Sequence, residues 1–250
     1  MKVAYRSDIG KIRDLDEDSI LVIRIDSVYS SIRQERALFI LADGMGGHNA
    51  GEVASSLAVR KIAEYLFPTL ISLADVDWSL ALRSGIKEVN KSVIDYGIKN
   101  PEFQGMGTTL VVAILIDRKL YVGNIGDSRL YLINGNRKEI RQVTKDHSLV
   151  QKLVDNGKIT KEEARDHPQK NIITRAIGCF PEVEADTFEL DLERDDIILL
   201  CCDGLTDVVD DDEIKEIVLR NKDIQKVCDE LIKAANDRGG PDNISVILAM

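Results

Sequence analysis

The stretch TLVVAILIDRKLYVGNIGDSRLYLING, residues 109–135, decides the fold. Three apolar runs lie in it: Thr109–Ile116, Leu120–Ile125 and Leu130–Ile133. They are joined by Asp117-Arg118-Lys119 and by Gly126-Asp127-Ser128, and Asn134-Gly135 closes the third. Links this short cannot hold a crossover helix, so the spacing predicts antiparallel neighbours rather than helix-linked parallel strands. Working outward, Leu21–Ile25, Ala37–Ala42, Ile197–Cys202 and Ile244–Leu248 read as further strands. Helical spacing appears in Ala50–Phe67, where Val53, Leu57, Ile62 and Leu66 recur, and again in Leu80–Ile94. Two more helices are predicted over Asp212–Arg220 and Asp223–Ala235, the second with Ile224, Val227, Cys228, Leu231 and Ile232 on one face. The polar, mixed segment His147–Pro168 predicts short helices in an excursion. No repeat, low-complexity tract or Pro/Gly/Ser linker divides the 250 residues, so one α+β domain of sheets covered by helices is expected over 1–250.

Composition narrows the function. Apolar residues make up 44% and charged residues 30%, ordinary for a globular chain and against disorder. Forty-three Asp and Glu against 33 Lys and Arg leave a net charge of −10, which speaks against a nucleic-acid or anionic-membrane binder. The apolar run Leu110–Ile116 is far short of the ~20 residues that span a bilayer. The start MKVAYRSDIG lacks the apolar core of a signal peptide. The four cysteines, Cys179, Cys201, Cys202 and Cys228, show no Cys-x-x-Cys spacing, which fits reduced, packed thiols in a cytoplasmic protein. On a strand, Cys201 and Cys202 point to opposite faces.

The carboxylates sit where strands end. Leu38–Ala42 runs into Asp43-Gly44, Ile197–Cys202 into Asp203-Gly204, and Tyr121–Ile125 into Gly126-Asp127, while Pro241-Asp242-Asn243 opens the last strand. A single Asp-Gly after a strand is a common turn. Four such sites without a basic neighbour in sequence are another matter, because carboxylates gathered at one sheet edge repel unless a cation neutralises them. Oxygen ligands suit Mg2+ or Mn2+ rather than zinc. Asp14, Asp16 and Asp18 imitate the start of an EF-hand loop, but Ser19 and Ile25 stand where Gly and Glu are required. Gly44-Met-Gly-Gly47 lacks a Walker Lys-Ser/Thr, and the glycines at 105 and 107 lack the third of a dinucleotide fingerprint. The positions six residues after each cysteine are Ala185, Asp207, Val208 and Ala234, so no Cys-x5-Arg nucleophile exists.

Read together and in order, Arg13…Glu17-Asp18, Asp43-Gly-Met-Gly-Gly-His48, Gly107-Thr-Thr109, Gly126-Asp-Ser-Arg129, Asp203-Gly-Leu-Thr-Asp207 and Gly240-Pro-Asp-Asn243 resemble the metal-dependent Ser/Thr protein phosphatases of the protein phosphatase 2C type. The ordered set covers residues 13 to 243, and Met45 with the compact length resembles bacterial members. The resemblance implies a four-layer α-β-β-α sandwich of two mainly antiparallel sheets flanked by helices, with a flap at about 147–175. It implies that Asp43 bridges two ions, Mn2+ or Mg2+, with the Gly44 carbonyl on one and Asp203 and Asp242 on the other. Glu17 and Asp18 would act through waters, Asp127 with Asp203 would hold a third ion, and Arg13 would grip the substrate phosphate. A water shared by two cations, ionised near neutral pH, would attack phosphorus directly.

The implied substrates are phosphoserine and phosphothreonine proteins, acted on in the cytoplasm by a monomer, opposite a Ser/Thr kinase. A narrower target, such as an anti-sigma antagonist, stays open. A catalytically silent, phosphatase-like binding module is the alternative, although Asp43, Asp203 and Asp242 are all present. An ion pair of Arg13 with Asp16 or Asp18 is the plain reading of that arginine. Two departures stand out: Asp16 occupies a position that is commonly Asn in the family, and Met45, unlike the His of many eukaryotic relatives, has no proton to give. His48 is a candidate donor, with packing the favoured role. Lys170 and Arg175 could contact substrate, but surface charge is the simpler expectation.

Overall fold

A computed structural model describes residues 1–29, 31–46, 50–72 and 75–250, so the expectation for His48 lies outside the described residues. The strands are β1 (Val3–Asp8), β2 (Asp18–Tyr29), β3 (Ile32–Met45), β4 (Gly107–Thr108), β5 (Leu110–Ile116), β6 (Lys119–Ile125), β7 (Arg129–Asn134), β8 (Glu139–Gln142), β9 (Asp186–Asp191), β10 (Asp196–Cys201) and β11 (Ile244–Ala249). The helices are α1 (Gly51–Ile71), α2 (Trp78–Lys99), α3 (Leu149–Asp155), α4 (Lys161–Arg165), α5 (Asp203–Thr206), α6 (Asp211–Arg220) and α7 (Ile224–Asp237). One sheet runs β1-β11-β10-β7-β8 and the other β2-β3-β5-β6-β9, with β4 paired to β3; neighbouring strands are antiparallel throughout.

Period-two alternation sorts the side chains into three cores. On β3, Leu38 and Ile40 face α1 and α2, where they meet Ile62, Leu66, Leu82 and Ile86. Phe39 and Leu41, one residue out of phase, face the other sheet and meet Ile198, Leu200 and Ile247. On β10 the alternation repeats: Leu199 and Cys201 pack under α6 and α7 with Val227 and Leu231, while Cys202, just past the strand, joins the inter-sheet core, so the two cysteines take opposite faces as predicted. Fully burying each such side chain contributes about 1.5–3 kcal/mol. Continuously apolar strands covered on both faces, within two helical outer layers, give the four-layer α-β-β-α sandwich.

The structure corrects one pairing expectation. β5 and β6 form the predicted hairpin, but β7 is not a neighbour of β6; it joins the other sheet beside β10. The free edge of β6 is taken by β9, a partner some way along the chain that local spacing cannot reveal. The link Gly126-Asp127-Ser128 therefore crosses from one sheet to the other. Gly126 makes the crossing at φ +104, and a Cβ there would lie 2.6 Å from Thr109. Four strands carried no sequence signal: the two-residue β4, too short to show a period, and β1, β8 and β9, each of which lies at a sheet edge, where exposed positions dilute the apolar pattern. The first helix outlasts its expected end because Pro68 falls near its last turn, where few further hydrogen bonds depend on it. The excursion holds α3 and α4, capped by Ser148 and by a Thr160–Glu163 capping box. Among the described residues, no helix is long and apolar enough to cross a membrane.

Candidate metal centre

Asp18 opens β2 directly opposite Asp43 on β3, so the register of one hairpin sets two carboxylates side by side. Contrary to the sequence reading, β3 does not end before Asp43; it continues through Gly44 and Met45, which pair with Thr108 and Gly107. The other sheet arrives through β10: ligand atoms of Asp18, Asp43 and Cys202 all lie within 4.8 Å of one another. Asp203 then begins α5, Asp242 immediately precedes Asn243 and β11, and Asp127 stands in the crossing link.

The electrostatics tie these scattered acids together. Burial pushes the Asp43 carboxyl well above the usual range, and Asp203, Asp18, Asp127 and Asp242 push it the same way in that order. Asp18 is pushed up to about 7, chiefly by burial. Asp203 is pushed up to about 6, by burial and then by Asp207. Asp127 is raised well above the usual range by burial and then by Asp203. Glu17 is raised more modestly by burial, against the lowering effect of Arg13. Its side chain lies at the start of α1, where a Cβ on Gly51 would come within 2.5 Å of Oε1.

Both carboxylate oxygens of Asp18 and Oδ1 of Asp127 are buried without a hydrogen-bond partner. Buried oxygens in folded proteins normally have donors, and like charges this close do not ionise together. A hard divalent cation answers both demands, and the carboxylates around Asp43 suit Mg2+ or Mn2+. The nearby thiol is no competitor: burial pushes Cys202 far up, so it stays neutral, and Sγ donates to the Asn243 carbonyl at 3.3 Å and accepts from the Ser245 N–H at 3.1 Å.

Residues that sequence reasoning gave no role hold the frame. Asn243 accepts the Glu17 N–H at 2.9 Å and donates to the carbonyls of Ile9 and Leu15 at 3.0 and 2.9 Å, pinning the acidic N-terminal loop to the start of β11. The Asp43 N–H donates to Thr109 Oγ1 at 2.9 Å, and the Thr109 hydroxyl meets that of Ser128 at 2.7 Å. The only sequence signal for both was membership of the Gly107-Thr-Thr109 and Gly240-Pro-Asp-Asn243 blocks. Gly44 and Gly204 allow close approach of backbones: a Cβ on Gly44 would fall 2.2 Å from the Gly51 carbonyl oxygen, and one on Gly204 1.9 Å from that of Asn243. Asp16 accepts the Asp18 N–H at 3.1 Å and the Ser7 hydroxyl at 2.5 Å, so its carboxylate serves a turn.

Arg13 is paired with neither Asp16 nor Asp18. Its Nη2 donates to Asp242 Oδ2 at 2.7 Å, with the arginine side chain half-exposed at the rim. Lys170 and Arg175 are both in ion pairs, with Asp207 at 2.8 Å and Asp186 at 2.9 Å. Beside the acids, a cleft of about 750 Å3 opens between the excursion and α5–α6, with Asp127 and Asp203 on its wall.

A four-layer sandwich whose two sheets deliver buried acids to one point defines a class by its chemistry: proteins that gather carboxylates suited to a hard divalent cation. The sequence profile described as Protein phosphatase 2C matches residues 23–249. The serine/threonine phosphatase stp of Listeria welshimeri is 41% identical over 248 residues, covering 99% of this chain and 95% of that one. The crystal structure of Stp1 from Staphylococcus aureus superposes with a TM-score of 0.87 at 38% identity, covering 99% of this chain and 94% of the other. The catalytic domain of PstP, solved in complex with 2 manganese ions, does so with a TM-score of 0.82 at 36% identity, covering 99% and 96%. The chain belongs to the protein phosphatase 2C family and is a metal-dependent serine/threonine protein phosphatase of the bacterial kind. The silent-module alternative is not favoured.

Proposed function

We propose that Asp43, the Gly44 carbonyl, Asp203 and Asp242 hold a pair of Mn2+ or Mg2+ ions, that Glu17 and Asp18 complete their surroundings through water, and that Asp127 with Asp203 holds a third. The observation that carries the reading is the convergence of buried carboxylates on Asp43, each raising its pKa. Ions bound there supply Lewis acidity, ionising water near neutral pH and offsetting charge on the phosphoryl oxygens. The protein's own part is to fix and to orient. The Asp18–Asp43 register and the Asn243 bonds hold the acids in place before any substrate arrives. Arg13, half-exposed at the rim, can turn from Asp242 to two phosphoryl oxygens, which its planar fork matches. Met45 has no proton to give and the Cys202 thiol is buried, so on this reading a water at the ion site, rather than either of these side chains, would protonate the leaving alkoxide.

The substrates on this reading are phosphoserine and phosphothreonine proteins made by a Ser/Thr kinase. The chain works as a cytoplasmic monomer that binds no nucleic acid, in keeping with its net charge of −10. Residues 1–250 act as one catalytic unit, with 147–175 as the flap beside the cleft. Hydrolysis of a small aryl phosphate and of a phosphothreonine peptide is expected with Mn2+ or Mg2+ and is expected to stop in chelator. Asp203→Asn is expected to abolish nearly all turnover while circular dichroism stays unchanged; undiminished turnover in that variant sinks the proposed centre.

A further inference from the structure

The chain enters and leaves the 147–175 excursion at one seam, and that seam is bonded to the link that carries Asp127. Gly126 and His147 exchange two hydrogen bonds: the His147 N–H donates to the Gly126 carbonyl at 2.9 Å, and the Gly126 N–H donates to His147 Nδ1 at 3.1 Å. Two residues beyond Asp127, Arg129 donates through Nε and Nη2 to the Asp146 carboxylate, with separations of 3.0, 3.1 and 2.7 Å. Flanking these two ties, the Lys145 carbonyl accepts from Asn124 Nδ2 at 3.1 Å, and the Thr144 hydroxyl accepts the Leu130 N–H at 3.0 Å. Residues 144–147 are thus stitched one after another to residues 124–130.

The same residues carry the excursion on their other side. The His147 carbonyl accepts the Thr174 N–H at 2.7 Å, and the Leu149 N–H donates to the Ile172 carbonyl at 2.8 Å. Because Nδ1 accepts a backbone N–H, the ring proton belongs on Nε2, which meets Asp186 Oδ2 at 3.1 Å. Arg175 meets the other oxygen of Asp186 at 2.9 Å, so both ends of the excursion's neck converge on one carboxylate. The His147 side chain is 5% exposed and that of Asp146 11%, and a charge-assisted, multiply bonded Arg–carboxylate pair shielded from water is stiffer than a surface pair. Across the cleft the excursion is held more lightly, by the part-exposed Lys170–Asp207 pair.

We propose that Asp146 and His147 are positioning residues: through Arg129 and Gly126 they make the excursion and the Asp127 carboxylate one mechanical unit, so that a phosphoprotein pressing on the excursion also moves Asp127. The inference rests on the reading that Asp127 belongs to the reacting centre.

The test uses His147→Gln, His147→Asn and Asp146→Asn. An Asn amide can place an acceptor where Nδ1 lies, whereas the longer Gln reaches toward the Nε2 position. His147→Asn therefore keeps the Gly126 bond and His147→Gln loses it. In the metal-free protein, amide hydrogen exchange at Gly126 and Asp127 and at Leu149 and Thr174 is expected to quicken together, about tenfold, in His147→Gln and Asp146→Asn. His147→Asn is expected to stay close to the unaltered protein at Gly126 and Asp127. With Mn2+, kcat is expected to fall for both a phosphothreonine peptide and a small aryl phosphate, while KM rises for the peptide alone. Faster exchange confined to one of the two segments, equal behaviour of the Asn and Gln variants at Gly126, or a raised peptide KM with kcat untouched overturns the coupling. Failure of the proposed cation centre would show instead as no Mn2+-dependent turnover by the unaltered protein, a result that leaves the exchange outcome standing.

Discussion

Asp18→Asn removes one charge from the acidic cluster while keeping the shape of the side chain, and its effect on the metal-free protein has a definite sign. Asp18 ionises near pH 7 in the folded chain, pushed up to about 7 from an ordinary 3.8 chiefly by burial. The folded chain therefore holds this proton more tightly than the unfolded one. The stability so contributed is fully present below the unfolded value, near pH 4, and is lost as pH rises through about 7. At 1.36 kcal/mol per tenfold, that interval amounts to about 4 kcal/mol once both forms are ionised. Water entry and relaxation around the site reduce the measurable part to about 2 kcal/mol. Each kcal/mol moves the midpoint of a chain this long by roughly 2–4 °C, so Asp18→Asn is expected to raise Tm at pH 8 by about 4–8 °C. At pH 5, with the Asp18 carboxyl still protonated in the folded chain, the gain is expected to be less than half as large. Scanning calorimetry in EDTA at pH 5, 6.5 and 8 measures this directly. Saturating Mn2+ is expected to reverse the order, because the variant offers the cation one charge fewer. A Tm no higher than that of the unaltered protein at pH 8, or a gain equal at pH 5 and pH 8, refutes the electrostatic account.

Two other perturbations probe the frame and the rim. Arg13→Ala is expected to raise KM for a phosphothreonine peptide roughly 10–100-fold, the size of a lost charge-assisted bond, while Mn2+ uptake by calorimetry is retained because Asp242 keeps its carboxylate; unchanged peptide kinetics would remove Arg13 from phosphate binding. Gly204→Ala drives a Cβ to 1.9 Å from the Asn243 carbonyl oxygen, so a loss of about 1–3 kcal/mol in urea unfolding is expected, with activity falling as Asp203 is displaced. An unaltered midpoint would mean that the two backbones separate freely there.

Much of the sandwich was legible because its central strands are apolar along their whole length. The runs through Leu38–Ala42 and Ile197–Cys202 announce burial on both faces, and their helices carry matching stripes. The edge strands β1, β8 and β9 stayed hidden, since an edge leaves half its positions to solvent. The acids of the site were visible as residue types beside apolar runs, although Asp43 lies within β3 rather than past its end. Their surroundings were not: Arg13 meets Asp242 across 229 positions of sequence, and Asn243 meets Glu17 across 226. Cys202 looked like a core thiol and is one, yet it also marks where the second sheet touches the Asp18–Asp43 pair.

By itself, then, the sequence determined the central segments: periodicity and turn chemistry act over a few residues, so the buried strands, the long helices and the acids beside them are written locally. Only the tertiary structure decided which sheet each strand joins, because β6 takes β9 and β7 takes β10 through contacts made far along the chain. That choice sends Gly126-Asp127-Ser128 across the gap between sheets and brings Asp127 to Asp203, where burial and mutual repulsion, both properties of the packed chain, turn ordinary aspartates into a cation-demanding cluster.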